Sequence, residues 1–373
     1  LYRTWKVFLP VGTALVALVY MLGMMGVVGF NFNAIMLGVL PIASGLGIDF
    51  SLQLHTRYIE EREKGREPVD AAGAAARTTG NTLLLAMATT SIGLGALLVS
   101  AVPPTRQIGA TAALGASVAL VFALRAPAWR LGLVDHPGGR KHHDAATPLV
   151  GGIAIFGAFA LAALATDVAL WPYAPLFAAM AVLLVCGVMD DLRELHGTTK
   201  LAVQIVAASM IVASGGMVVT ELAVLEPLGT LALGAWAMPL TLFGIVGLVN
   251  AVNMLDGLDG LAGMASLAML FWLAVAAHFN GFPDVQALAA VIAAALIGFL
   301  VFNMRHRLRL QASVFLGDAG SMVLGVAIAW FCIQLTQSGA DAPVSPVAIG
   351  WIIALPVMDT ASLMLRRIRK GRS

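Results

Sequence analysis

The chain has 373 residues, of which 60% are hydrophobic and 11% charged, with a net charge of +2 at pH 7. Soluble domains carry about 25% charged residues, so the composition excludes an ordinary soluble domain and indicates an integral membrane protein. The near-neutral balance, with no basic patch interleaved with aromatics, excludes a nucleic-acid footprint, and Cys186 and Cys332 lie inside apolar runs with no disulfide or metal-type spacing.

In chain order, apolar runs fall at 7–29, 33–54, 82–102, 107–124, 149–170, 173–189, 200–219, 236–252, 261–279, 285–302, 318–336 and 347–365. A spanning helix needs about 20 apolar residues, so the reading is an all-α polytopic protein with about 12 transmembrane helices. Lys and Arg cluster at 3–6, 57–77, 125–141, 193–200, 305–309 and 366–372, and twelve spans put all of these on one face, with Arg106 opposite. That bias marks the basic face as cytoplasmic, in a plasma (inner) membrane, with both termini inside. The opening "LYRTWK" has no Met and no cleavable signal, which reads as a fragment or a trimmed start.

Two pieces follow one another, divided near residue 124. In 1–124, Asp49 lies within a span, and an intramembrane acid is by default a functional hypothesis, often a proton relay. The charged stretch Arg57–Glu67 after it suits an amphipathic helix along the membrane surface. The segments Gly47–Phe50, Glu60–Gly65 and Asn81–Leu98 together resemble the late membrane helices of MMPL-type resistance–nodulation–division transporters, over about residues 1–120. This resemblance implies proton-coupled transport of a lipid or small molecule, the alternative function for the chain; a non-catalytic membrane scaffold is the third reading.

In 125–373, four polar loops interrupt the apolar runs: "GLVDHPGGRKHHDAATPLVGG", "VMDDLRELHGTTK", "NAVNMLDGLDGLAG" and "VFLGDAGSMVLG". The charge-based topology places them on one side, where they can form one site. Adjacent Asp190 and Asp191 repel unless a cation is near, although a lone acidic pair at a helix end would be unremarkable. Mg²⁺ takes oxygen ligands, usually one or two carboxylates plus substrate phosphates. Asp256 and Asp259, at i and i+3, share a helix face, and Asn253 extends that row by a turn. Asp318, between glycines, either caps the following helix or adds an acid to the site. Arg140, Lys141, His142 and His143 offer cations to a phosphorylated substrate, beyond their share in the positive-inside bias. Lys200 and Gln204, at i and i+4, can face the same site, and Asp359 is a weaker candidate.

With these loops in hand, residues from about 125 to 373 resemble the polyprenyl-phosphate N-acetylhexosamine-1-phosphate transferases, glycosyltransferase family 4. The residues that carry the resemblance are "RKHH…PLVGG", "DDLRE", "NAVNMLDGLDGLAG" and "FLGDAGS". The resemblance implies a Mg²⁺-dependent phosphoglycosyl transferase, with Mn²⁺ as a substitute metal. It would move a sugar 1-phosphate from a UDP-sugar to a polyprenyl phosphate such as undecaprenyl phosphate, in cell-envelope polysaccharide synthesis, and release UMP. By motif, Asp190, Asp191, Asp256 and Asp259 are its catalytic acids; Asp191, Asp318 and Asn253 its metal ligands; and Arg140, Lys141, His142, Lys200 and Asn253 its substrate contacts. A homo-oligomer is compatible with this reading. The family pattern continues beyond "RRIRKG" into a histidine-rich loop and a final helix, so the resemblance also implies C-terminal truncation at Ser373, and an inactive fusion is the further alternative.

Overall fold

A computed structural model describes residues 57–68, 70–71, 73–75, 104–135, 146–214, 217–223, 230–305, 311–337 and 344–369. The expected spans at 7–29, 33–54 and 82–102, Asp49, and the loop bearing Arg140, Lys141, His142 and His143 lie outside the described residues. The chain forms two compact units, 1–100 and 101–373.

In the first unit, residues 57–63 are helical and end on Gly65 at φ +81°. That left-handed geometry suits glycine and closes a helix C-terminus. Glu61 is buried, accepts from Lys64 at 2.6 Å and is ion-paired with Arg66 at 3.2 Å, so the expected charged helix is tied by local ion pairs.

The second unit is a helical bundle. Its helices are α1 (Pro104–Leu131), α2 (Gly151–Ala163), α3 (Ala174–Arg193), α4 (Gly197–Ala213), α5 (Ala237–Leu255), α6 (Leu261–Phe279), α7 (Pro283–Asn303), α8 (Gly317–Gln337), α9 (Pro346–Ile352) and α10 (Ala354–Arg369). Two short antiparallel ribbons join them, β1 (Val134–Asp135) with β2 (Thr147–Pro148) and β3 (Glu221–Ala223) with β4 (Thr230–Ala232). Prolines open α1, α7 and α9, where a missing N–H costs nothing. Gly132 at φ +73° follows the end of α1.

Among the described residues, six helices are long and apolar enough to cross a membrane, or seven if α9 and α10 count as one span. The expectation of about twelve is not met. Nine of those spans fall within the described residues and each coincides with a helix, but α2 and α4 are too short by the same test. The 13 residues of α2 rise ~20 Å at ~1.5 Å per residue, against a hydrocarbon core of ~30 Å. Both short helices stop where a hydroxyl turns back on the last turn: Thr166 Oγ1 donates to the Ala163 carbonyl and Ser214 Oγ to that of Ile211, each at 2.6 Å. Such bonds offer the backbone an alternative to the helix ladder. The expected single span at 347–365 is instead bent by 70° between α9 and α10. Pro356 explains the bend, because its ring clashes with the carbonyl four residues earlier, that of Ile352.

Helix α8 is the centre of the bundle, packed by α2, α3, α5 and α6, and nearly all of its side chains are buried. Glycines permit its closest approaches. A Cβ on Gly187 of α3 would lie 2.2 Å from Ala319 Cα, and one on Gly152 of α2 would lie 2.4 Å from Gly320 N. Small residues at such crossings let helix backbones meet in lipid. The Gly151 and Gly152 N–H groups donate to the Phe315 and Leu316 carbonyls at 3.1 and 3.2 Å. The "PLVGG" segment is thereby stitched to the irregular lead into α8. Helix α1 packs on α7 and α2 within this unit. Many large apolar side chains are exposed, among them Leu161, Leu164, Trp171 and Phe243, as on a lipid-facing surface.

Candidate active site

The C-termini of α3, α5 and α7 and the N-termini of α4, α6 and α8 meet through side-chain bonds at one end of the bundle. Helix α3 ends in a strained turn: Glu194 has φ 41°, the one positive value at a non-glycine among the described residues. The turn is held by Asp190, whose carbonyl accepts the Glu194 N–H at 2.9 Å and whose Oδ1 accepts the Leu195 N–H at 2.7 Å. Strain of this kind persists only where surrounding bonds over-determine it.

Lys200, in the first turn of α4, lies between two acids. Its Nζ donates to Asp190 Oδ2 at 2.7 Å and to Asp318 Oδ2 at 2.8 Å. Asn253, near the end of α5, donates from Nδ2 to Asp318 Oδ1 at 2.8 Å and to Ser321 Oγ at 2.9 Å. Asp318 therefore does not cap its own helix. The cap comes from α3: Asp191 Oδ1 accepts the Asp318 N–H at 2.9 Å and Oδ2 accepts the Ala319 N–H at 3.3 Å. A carboxylate there satisfies orphan donors and meets the positive end of the helix dipole. Gly317, at φ +73°, is required twice over, since a Cβ there would lie 2.6 Å from Asp191 Oδ2.

Asp256 follows α5 and lies near the Gly317 N–H. Burial, and then the nearby Asp318, Asp191 and Asp259 carboxylates, push its carboxyl well above the usual carboxylate range. Asp259 points elsewhere and pairs with Arg305 Nε. Asn303, buried at the end of α7, ties the two acidic loops together: its Oδ1 accepts the Gly260 N–H and its Nδ2 donates to the Val314 carbonyl, both at 2.9 Å. Gln204 lies one turn below Lys200 and pairs with Asn250. Asp359, in α10, takes no part in this network.

The comparisons with known proteins bear on what such a cluster belongs to. The family model described as "Glycosyl transferase family 4" matches residues 173–336, which hold every acid of this network but not Asp359. Among similar curated proteins is the undecaprenyl-phosphate alpha-N-acetylglucosaminyl 1-phosphate transferase of Yersinia pestis, 34% identical over 258 residues, 69% of this chain and 70% of that one. The protein of the same description from Escherichia coli K12 is 33% identical over 254 residues, 68% of each chain. The chain belongs to glycosyl transferase family 4. A third relative of that description, from Haemophilus influenzae, is 33% identical over 261 residues, 70% of this chain and 73% of its own. The MMPL family matches residues 4–128, a stretch that ends inside α1.

In this family 4 chain, the structure brings together Asp190, Asp191, Asn253, Asp256, Asp318 and Lys200, separates Asp259 towards Arg305, and leaves Arg140, Lys141 and His142 outside the described residues. Three residues escaped sequence reasoning: Asn303, Asn250 and Arg305. Asn303 and Asn250 carried a signal, an amide at or near the polar end of an apolar run, where a polar group needs a partner. Among the described residues no three His, Cys, Asp or Glu groups converge closely enough to hold a metal ion by themselves. A Mg²⁺ ion that takes one or two carboxylates and completes its shell with water and substrate phosphate still fits this donor set. Asp256 stands among like charges with no ion pair among the described residues, and a cation beside it would relieve that repulsion.

Proposed function

We propose that the chain transfers a sugar 1-phosphate, N-acetylhexosamine 1-phosphate, from a UDP-sugar to a polyprenyl phosphate such as undecaprenyl phosphate. An oxygen of the lipid phosphate attacks the sugar-bearing phosphorus of the UDP-sugar. The bond to the UMP oxygen breaks, UMP leaves with its electron pair, and a lipid-linked sugar diphosphate results. The observation that carries this reading is the meeting of Asp190, Lys200, Asn253 and Asp318 at one end of the bundle. The activity of its undecaprenyl-phosphate alpha-N-acetylglucosaminyl 1-phosphate transferase relatives supports it.

Phosphoryl transfer depends mostly on positioning and charge neutralisation. Lys200 offers an ammonium group to a phosphate oxygen, and Asp190 and Asp318 hold it in place. Asp190 and Asp191 form the acidic pair on the lipid-phosphate side, and Asn253, Asp256 and Asp259 belong to the nucleotide side. One or two of the Asp191, Asp318 and Asp256 carboxylates, with Asn253, would hold Mg²⁺ or Mn²⁺, the shell being completed by water and substrate phosphate. Such an ion would neutralise the diphosphate and the leaving UMP. Arg140, Lys141 and His142 add phosphate contacts in this reading. The bias of Lys and Arg assigns this end of the bundle to the cytoplasmic side of a plasma membrane. Assembly into a homo-oligomer is compatible with this reading.

The transporter reading draws on Asp49 and on the MMPL match over 4–128, and leaves the acid cluster without a role. The test is UMP release by the purified chain with Mg²⁺, undecaprenyl phosphate and a panel of UDP-N-acetylhexosamines. The expected result is release that needs both substrates and is lost in Asp318→Asn. Folded protein that releases no UMP with any donor would overturn the proposal.

A further inference from the structure

Below the charged cluster lies a second polar layer, deeper in the bundle. Gln204 is buried, and its Nε2 donates to Asn250 Oδ1 at 3.3 Å and approaches Met322 Sδ at 3.6 Å. Asn250 Nδ2 returns a bond to Gln204 Oε1 at 2.7 Å and also donates to the Val246 carbonyl at 2.8 Å. The two layers are in register. Gln204 follows Lys200 by four residues on α4, Asn250 precedes Asn253 by three on α5, and Met322 follows Asp318 by four on α8. Each step is about one helical turn, ~4.5–6 Å.

The apolar packing of α4 would not hold this register alone. Leu201, Ile205 and Val206 are exposed along α4, and its buried face carries Ala207, Ala208, Ile211 and Val212 besides Gln204. Lipid supplies no hydrophobic force to press such a face home, so packing and directional hydrogen bonds decide helix register. A slip of one residue turns a helix by about 100° and would carry Lys200 out from between Asp190 and Asp318. A reciprocal amide pair forbids that slip because both of its bonds must break together.

We propose that Gln204 and Asn250 are positioning residues for phosphoryl transfer: their amide pair locks α4 against α5, and so sets the Lys200 ammonium between Asp190 and Asp318. The inference rests on the reading given under Proposed function for its kinetic consequences, and on geometry alone for the placement of Lys200. The pair touches no reacting atom; it acts through Lys200.

The experiment compares Gln204→Leu, Asn250→Leu, the double Leu variant and the exchanged pair Gln204→Asn with Asn250→Gln, all in the full chain. Three quantities are read: Tm, kcat and KM with UDP-N-acetylglucosamine and undecaprenyl phosphate, and the rate at which an amine-acylating reagent labels Lys200, followed by mass spectrometry. Asn250→Leu strands the buried Gln204 amide, and Gln204→Leu leaves the half-buried Asn250 Oδ1 without its partner, so Tm falls in both. The kcat falls about tenfold, since a displacement of ~1 Å can cost up to ~10²-fold, while KM for the UDP-sugar stays within about threefold. Lys200 is labelled several-fold faster.

The double Leu variant separates positioning from bulk stability. Replacing both partners by apolar groups is close to neutral for stability, so Tm recovers while kcat and Lys200 labelling do not. The exchanged pair, which keeps the total length and both amides, restores all three. Wild-type kcat and wild-type Lys200 labelling in the double variant would overturn the inference. Absence of UMP release in the wild type would overturn the proposed function alone, because Lys200 labelling still decides the placement.

Discussion

Asp190 and Asp256 sit at the same end of one bundle, yet their charges are balanced in different ways. Asp190 is buried and held on both oxygens, by the Leu195 N–H and by Lys200, which Asp318 shares. Asp256 lies near the Gly317 N–H and is otherwise pressed by Asp318, Asp191 and Asp259, with no ion pair among the described residues. The first acid belongs to a preformed, internally neutralised centre that orients an ammonium group. The second is an acid kept at a cost to stability, as sites that take up a cation or a substrate are. Two neighbouring regions therefore divide the labour of a phosphate site: one is rigid before substrate arrives, and the other is completed by what binds.

Breaking the rigid half has the largest expected effect. Lys200→Met leaves Asp190 and Asp318 facing each other without their shared cation. Removing one partner of a buried pair typically costs about 3–5 kcal/mol; Lys200 is 28% exposed, so the lower end of that range applies. UMP release should fall by about 10³-fold, the scale of losing an electrostatic stabiliser of the transition state. Activity within tenfold of wild type would show that the centre does not depend on the ammonium group.

The second half predicts the opposite sign for stability. Because the carboxyl of Asp256 titrates above its unfolded value of about 3.9, its ionisation opposes folding. Metal-free protein is then least burdened below that value and loses stability as pH rises towards the folded-state value. Asp256→Asn removes this burden. Thermal unfolding in detergent with chelator should show a higher Tm for the variant at pH 7, by about 0.5–2 kcal/mol in stability, and a flatter Tm between pH 4 and 7. Mg²⁺ should raise the Tm of wild type at pH 7 but not that of the variant, while UMP release by the variant falls about 10²-fold. A variant that is less stable than wild type at pH 7 would show that Asp256 is already balanced.

The contrast also explains what the sequence could and could not reveal. Asp190, Asp256 and Asp318 stand out because charge at the end of an apolar run is costly enough to need a reason, and the span pattern puts them on one face. What they bond to is set by residues far away in the chain. Asp191 caps α8 from 127 residues away, and no local spacing encodes that. Asn303 looked like the tail of an apolar run, though it joins the loops of Asp256 and Asp318. Helix identity was readable from hydropathy for every span within the described residues, whereas length was not. Thr166 and Ser214 stop α2 and α4 with single hydroxyl bonds that hydropathy ignores. The bend at Pro356 broke a stretch read as one span, although a proline inside an apolar run carries that signal.

The smallest expected effect comes from Arg305, and it sharpens the comparison most finely. Arg305 pairs with Asp259, and the two side chains are 36% and 13% exposed. A pair open to solvent on one side contributes at most about 1 kcal/mol and is screened by salt. Arg305→Gln should therefore lower Tm slightly at low ionic strength and hardly at all at high salt. It also leaves Asp259 as an unbalanced charge beside Asp256, and Asp259 is one of the acids that raise the Asp256 carboxyl. The fall in Tm between pH 4 and 7 should become steeper in Arg305→Gln, and this added slope should vanish when Asp256→Asn is combined with it. If the added slope persists in the double variant, Asp259 acts on stability independently of Asp256, and the two acids do not form one electrostatic unit.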